Sequence, residues 1–293
     1  MSRVTSKDGT PIAYERQGSG PAVVLVTGAL DDGSENAPLA TELAGSFTVF
    51  NYARRGRGAS GDTPPYAVAR EIEDLAALIG AAGGPVRLYG VSTGGALALE
   101  AVAAGLPVDR IAVYELPYSL DAPPGHWRDY VVRLRETLAE GRRGDALELF
   151  MRLAGSSDED IVAARTSPMW PDLETLAHTL AYDAAVLGDS RPPFARLAAI
   201  TQPALVATGG GADFFERGGL LRAGRGRRRR EPSPRGATHP GRPAARRRPG
   251  GAGPGARPVL HHLTEPVTRS CRTARSGTRA GRRPCRPCPA RSR

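Results

Sequence analysis

The chain has 293 residues, with 40 Lys+Arg against 30 Asp+Glu and a formal net charge of +10. No apolar run approaches the roughly 18 residues needed to span a bilayer, and the opening MSRVTSKDGT lacks the apolar stretch of a secretory signal. A soluble cytoplasmic protein is expected, built as one large α/β domain or as a domain with an inserted lid.

Residues 4–16 read as a hairpin turning at Asp8-Gly9. Ala22–Val26 is a continuous apolar strand, the pattern of a strand buried on both faces of a parallel sheet. A helix over residues 36–45 and a strand over Thr48–Tyr52 follow. Val68, Ile72, Leu75, Ala76 and Ile79 recur at helical spacing and lead into a strand at residues 86–89. Residues 96–102 are helix-forming and apolar almost all round, and residues 111–114 and Ala204–Ala207 are two more strands. Between these last two lie some 85 residues of helical pattern. Trp127, Tyr130, Val131, Leu134 and Leu138 mark one amphipathic helix; Leu173, Leu176, Ala177, Leu180, Ala184 and Leu187 mark another. Alternating strands and helices predict a mostly parallel, doubly wound α/β sheet. The helical insert would be a lid over the strands' carboxyl ends, where ligands bind such sheets. The expected division is a core over residues 1–118, the lid over 119–198, a seventh core strand within 199–217, and a tail over 218–293.

Residues 1–217 carry a net charge of −9 and the tail +19. The tail's 76 residues include 21 Arg, 12 Gly and 11 Pro but only six large apolar or aromatic residues, too few to offset the entropy of folding. It is expected to be disordered. One reading makes it a basic arm, the only part of the chain suited to nucleic acid or another polyanion. The other is a shifted reading frame. A single lysine, Lys7, against 39 arginines points to GC-rich coding DNA, which out of register yields the Arg, Pro, Gly and Ala seen here. Cys271, Cys285 and Cys288 all lie in the tail, and the lone C-x-x-C has neither a second pair nor a preceding strand. Neither a zinc nor a redox site is expected.

Chemistry concentrates at Gly90-Val91-Ser92-Thr93-Gly94, on the turn between a buried strand and a helix. A serine hydroxyl becomes a nucleophile when a base takes its proton and the charge on the attacked carbonyl is stabilised. A sharp strand-to-helix turn lifts the hydroxyl clear of the sheet, and the flanking glycines let the chain pack closely. The competing role for Ser92 is that of a helix cap.

Those residues, with Thr27-Gly28-Ala29-Leu30 and Arg54-Arg55-Gly56-Arg57-Gly58-Ala59-Ser60, resemble the α/β-hydrolase fold superfamily over about residues 4–216. The closest likeness is to small bacterial serine hydrolases. The resemblance implies an oxyanion hole built from the amides of Thr93 and Ala29. It also implies a triad in the order serine, acid, histidine. Asp213 stands at the usual acid position, Glu115 at an alternative one, and His239, in Gly236-Ala237-Thr238-His239, where the base belongs. The sequence departs from relatives at Thr27 and Val91, where histidines are common, and at Ala53 and Ala59, where acids are common. The turn role is the expected one for Arg54, Arg55 and Arg57, and a plain lid role for His126 and His178. A small acyl substrate is implied, with no cofactor, metal or membrane. Trp127, Phe150, Met169 and Trp170 suggest an apolar pocket or simply the lid's own core. The oligomeric state is not legible. The activity implied is ester hydrolysis, impaired if the C-terminal part is aberrant; an inactive relative or a binding protein is the alternative.

Overall fold

The computed structural model describes residues 1–120, 123 and 125–208. Asp213, His239, the three cysteines and the arginine-rich tail lie outside these residues.

The fold is organised around β3, Ala22–Val26, whose side chains alternate between two apolar layers. Val24 and Val26 pack with Leu75 and Leu78 of α2 (Val68–Ala82) and Leu97 of α3 (Thr93–Ala103). Val23 and Leu25 pack with Ala40 and Leu43 of α1 (Ala37–Leu43) and Val49 of β4 (Thr48–Tyr52). A strand sandwiched this way needs apolar residues at both phases of its two-residue period, which explains the unbroken run. Each fully buried Val or Leu contributes about 1.5–3 kcal/mol.

The remaining strands are β1 (Ser2–Thr5), β2 (Pro11–Gln17), β5 (Val86–Val91), β6 (Val108–Tyr114) and β7 (Ala204–Ala207). The sheet order is β1-β2-β4-β3-β5-β6-β7. Among the described residues, only the β1–β2 and β2–β4 pairs are antiparallel. This is the mostly parallel, doubly wound sheet read from the sequence. From β3 the chain passes to β4 on one side, then crosses back through α2 to β5 on the other. Such a reversal leaves a crevice beyond the strands' carboxyl ends. At this switch, β3 leads into Thr27-Gly28-Ala29 and β5 leads into Ser92.

Between β6 and β7 come α4 (His126–Ala139), α5 (Arg143–Leu153), α6 (Asp158–Arg165), α7 (Trp170–Leu176), α8 (Leu180–Leu187) and α9 (Phe194–Leu197). These helices enclose a small core of their own, with Tyr130, Leu134, Leu147, Trp170, Leu180 and Ala184. Trp127 and Phe150 pack against it, while Met169 is 65% exposed. Three of the four large lid residues therefore serve packing.

The apolar run expected as one helix over residues 173–187 is divided into α7, a 3-10 turn at Ala177–Thr179, and α8. The Thr179 hydroxyl donates to the Leu176 carbonyl at 2.7 Å, a local bond that competes with the helical ladder. The apolar stripe nonetheless runs across the break through Ala177, Leu180 and Ala184, which is why the sequence reads as continuous. Among the described residues no helix is long and apolar enough to cross a membrane.

Candidate active site

Ser92 follows β5 directly. Its amide donates to the Tyr114 carbonyl at 2.9 Å, continuing the pairing of β5 with β6. Its backbone then turns sharply, at φ 53 and ψ −126, a region that residues with a side chain rarely adopt. Backbone of this kind costs about 1–3 kcal/mol and persists only where its surroundings fix it. Ser92 occupies the N-cap position of α3, yet its hydroxyl makes no capping hydrogen bond. The capping role is thus not the one its side chain plays.

The flanking glycines are required by contact. A Cβ on Gly94 would lie 2.2 Å from the Thr27 carbonyl oxygen and 2.5 Å from that of Val26. A Cβ on Gly90 would lie 2.6 Å from the Gly94 oxygen and from Gly95 Cα. This close seating of α3 brings the loop after β3 to the serine: a Cβ on Gly28 would stand 3.2 Å from Ser92 Cβ and 3.8 Å from its Oγ. Ala29 follows, partly open to solvent. Thr93 is the first residue of α3, so its N–H has no acceptor within the helix and sits at the positive end of the helix dipole. The oxygen of a carbonyl attacked by Ser92 Oγ would take up its negative charge beside these two chain segments.

Glu115 lies one step beyond the Val91–Tyr114 pair of the sheet register, also at positive φ (54°), with its amide donating to Ala207 at 2.9 Å. Burial raises the pKa of the neighbouring Tyr114, and the Glu115 charge and hydrogen bond raise it further. His126 is exposed at the start of α4. His178 lies in the 3-10 turn, with Nδ1 at 3.1 Å from the Thr175 oxygen and Nε2 at 3.7 Å from Asp62 Oδ2. Burial holds its pKa below the ordinary value despite the opposing pull of Asp62. Both histidines belong to the helical insert, as expected, while the places of Asp213 and His239 are outside the described residues.

What sequence reasoning missed is the partnership of the arginine loop. Arg54, Arg55 and Arg57 follow β4 and are 0–1% exposed. Arg54 makes a bidentate pair with Glu71, both contacts at 2.7 Å, and reaches Asp183 Oδ1 at 2.7 Å. Arg57 Nη2 donates to both oxygens of Asp183, at 2.9 and 2.8 Å, and its Nη1 donates to the Gly28 carbonyl. The Thr93 hydroxyl donates to Asp183 Oδ1 at 2.8 Å. Arg55 faces elsewhere, toward Asp74 and Asp8.

Burial alone would raise the carboxyl of Asp183, but Arg57, Arg54 and the Thr93 hydroxyl outweigh it and hold the pKa below the ordinary value. Glu71 is lowered in the same way, chiefly by Arg54 acting against burial. For Asp74 burial prevails over Arg55, and the pKa is raised.

A hollow of about 560 Å³ opens between α4 and the turn after α8, lined by Ser119, Trp127, Arg128, Val131 and Gly188 among others. Ser92 is not among its lining residues, so this volume does not measure the crevice at the elbow. Among the described residues no group of His, Cys, Asp and Glu could hold a metal ion.

The sequence profile of the alpha/beta hydrolase family matches residues 23–246, more than half of the chain. The chain belongs to the alpha/beta hydrolase family. The matched span includes Ser92, Glu115, Asp213 and His239. Among solved structures it is similar to an alpha/beta hydrolase from Sphaerobacter thermophilus DSM 20745. The two are 53% identical, with 73% of this chain and 85% of that one covered at a TM-score of 0.68. A thermophilic esterase from Thermogutta terrifontis is 25% identical, covering 71% of this chain and 79% of that one at a TM-score of 0.53. The uncharacterized hydrolase YraK of Bacillus subtilis (strain 168) is 26% identical over 162 residues. That match takes in 54% of this chain and spans only 59% of the YraK sequence.

Proposed function

We propose that this protein is a serine hydrolase acting on a small ester, thioester, lactone or related acyl compound. Ser92 Oγ attacks the acyl carbon while His239 takes its proton, and the amides of Thr93 and Ala29 receive the oxyanion. Collapse expels the alcohol, which recovers the proton from the histidine and leaves an acyl-serine. Water activated by the same histidine then releases the acid and restores the hydroxyl. Asp213 or Glu115 orients the imidazole and stabilises its protonated form. Every group in this scheme is supplied by the chain, and no cofactor is called for.

The observation that carries this reading is the backbone at Ser92: a strained, positive-φ serine whose hydroxyl does not cap the helix it precedes. Gly28 pressed against the same side chain supports the placing of the oxyanion loop. The esterase likeness supports the substrate class. Support for His239 is narrower, resting on its G-x-x-H setting inside the matched span. Prolines and arginines crowd that segment, and Ala53 and Ala59 stand where acids are common in the family. These features favour slow turnover. They also sustain a second reading, a relative that has kept the elbow without a working base.

Hydrolysis of p-nitrophenyl acetate and butyrate by the full chain tests the scheme. Ser92→Ala should lose about 10⁴-fold or more in turnover, and His239→Ala should follow it. Of Asp213→Asn and Glu115→Gln, the one that loses more identifies the acid. Undiminished turnover in Ser92→Ala overturns the nucleophile assignment, and a wild-type rate equal to buffer selects the inactive relative.

A further inference from the structure

The buried ions around Asp183 join the two chain segments assigned to the oxyanion hole. Arg57 Nη1 donates to the Gly28 carbonyl, and that carbonyl shares one peptide unit with the Ala29 N–H. The unit is planar and trans, so its C=O and N–H point in opposite directions, and holding one end fixes the aim of the other. A guanidinium on the oxygen also draws electron density from the amide and makes its N–H a stronger donor. Asp183 holds the Arg57 fork from behind through both of its oxygens, at 2.9 and 2.8 Å. On the same carboxylate, Oδ1 accepts from the Thr93 hydroxyl at 2.8 Å, fixing the residue whose N–H is the other donor. Arg54, clamped by Glu71, donates to Asp183 Oδ1 at 2.7 Å and keeps that carboxylate in place.

We propose that Arg57 and Asp183 are positioning residues that aim both oxyanion-hole amides, Arg57 by gripping the Gly28 carbonyl and Asp183 by gripping Arg57 and Thr93 together. Both side chains are buried, at 1% and 5% exposure, so neither touches substrate and both act through the backbone. Asp183 stands on α8 of the helical insert, so the seating of that helix and the readiness of the site are one event. The proposal rests on the serine-hydrolase reading above.

The test uses the full chain and compares Arg57→Lys, Asp183→Asn and Thr93→Val with Arg55→Lys. Lysine keeps the charge but cannot hold the carbonyl and the carboxylate with one planar fork. Thr93→Val removes only the hydroxyl, and is the variant to rely on if the ionic substitutions fail to fold. Arg55 is as buried as Arg57 but faces Asp74 and Asp8, so it reports the effect of disturbing a buried ion pair as such. A misaimed donor is expected to lower kcat by roughly 10²-fold in Arg57→Lys and Asp183→Asn, and by about 10-fold in Thr93→Val. KM for the p-nitrophenyl ester should stay within about threefold, since ground-state binding is untouched. Binding of a trifluoromethyl ketone, which forms a tetrahedral adduct with the serine, should weaken in parallel with kcat. Arg55→Lys should keep kcat per folded molecule. If Ser92 is essential but all three variants retain kcat and ketone affinity within twofold of wild type, differing only in melting temperature, the positioning role is wrong. If Ser92→Ala is itself active, the underlying reading fails instead, and the two failures are separable.

Discussion

Gly94→Ala is the substitution whose cost the structure states most directly. The added Cβ would meet the carbonyl oxygens of Thr27 and Val26 at 2.2 and 2.5 Å, where ordinary contacts begin near 3.4 Å. Both obstacles are backbone of the central strand and cannot rotate away, so α3 must withdraw from β3 by about 1 Å. Overpacking of this kind costs about 1–3 kcal/mol. At roughly 2–4 °C per kcal/mol for a domain of this size, Tm should fall by about 2–12 °C. The same shift parts Ser92 and Thr93 from the Gly28–Ala29 loop, and a misplacement near 1 Å can cost about 10²-fold in rate. Gly80→Ala is the control. Gly80 lies inside α2 with nothing within 4 Å of its would-be Cβ, so alanine there should add about 0.5–1 kcal/mol. Thermal melts and ester turnover on the two variants provide the comparison. A Gly94→Ala protein as stable and as active as wild type, beside a Gly80→Ala protein that gains stability, would refute the close seating of α3 on which the site depends.

Arg55→Ala leaves Asp74 buried without its main partner and should cost about 3–5 kcal/mol in urea unfolding; a loss below 1 kcal/mol would mean the pair is solvated. Acid should weaken the fold in a defined window. The carboxyls of Asp183 and Glu71 have folded pKa values below their unfolded ones, so their stabilisation is complete above about pH 4 and is lost as pH falls through the folded values. Asp74 has the opposite sign: its raised pKa costs stability near neutrality, and that cost is relieved as pH falls through the folded value. Among the described carboxyls, those held low (Asp8, Glu71, Asp160 and Asp183) outnumber those pushed up (Asp31, Glu35 and Asp74), so Tm should decline below about pH 4, with a shallower decline in Asp183→Asn. Equal melting temperatures at pH 3 and pH 7 would contradict the arrangement of ions.

The core was legible because its signal is local. Ala22–Val26 and Ala204–Ala207 stand in the structure at the bounds read from the sequence, and the glycines beside Ser92 announce a turn whose closeness the contacts now measure. The insert was less legible. α5 buries only Ala146 and Leu147, and α6 only Ile161, too little apolar surface to set up a helical period. The start of α6 did carry a readable sign, Ser157 and Asp160 in a reciprocal capping box. Least legible were the buried arginines, whose carboxylate partners lie 17 to 129 residues away along the chain. Their traces are the carboxylates themselves: Asp183 beside Leu180, Ala184 and Leu187 on α8, and Glu71 and Asp74 beside Leu75 and Leu78 on α2. A charge set among buried apolar positions requires a buried partner.

The proposed chemistry stands or falls with an activated hydroxyl at Ser92. Incubating the full chain with a fluorophosphonate probe and mapping the adduct by peptide mass spectrometry tests it most directly. One phosphonylated site is expected, at Ser92, absent from Ser92→Ala. A folded protein that takes up no probe, or takes it up at another serine, would contradict it.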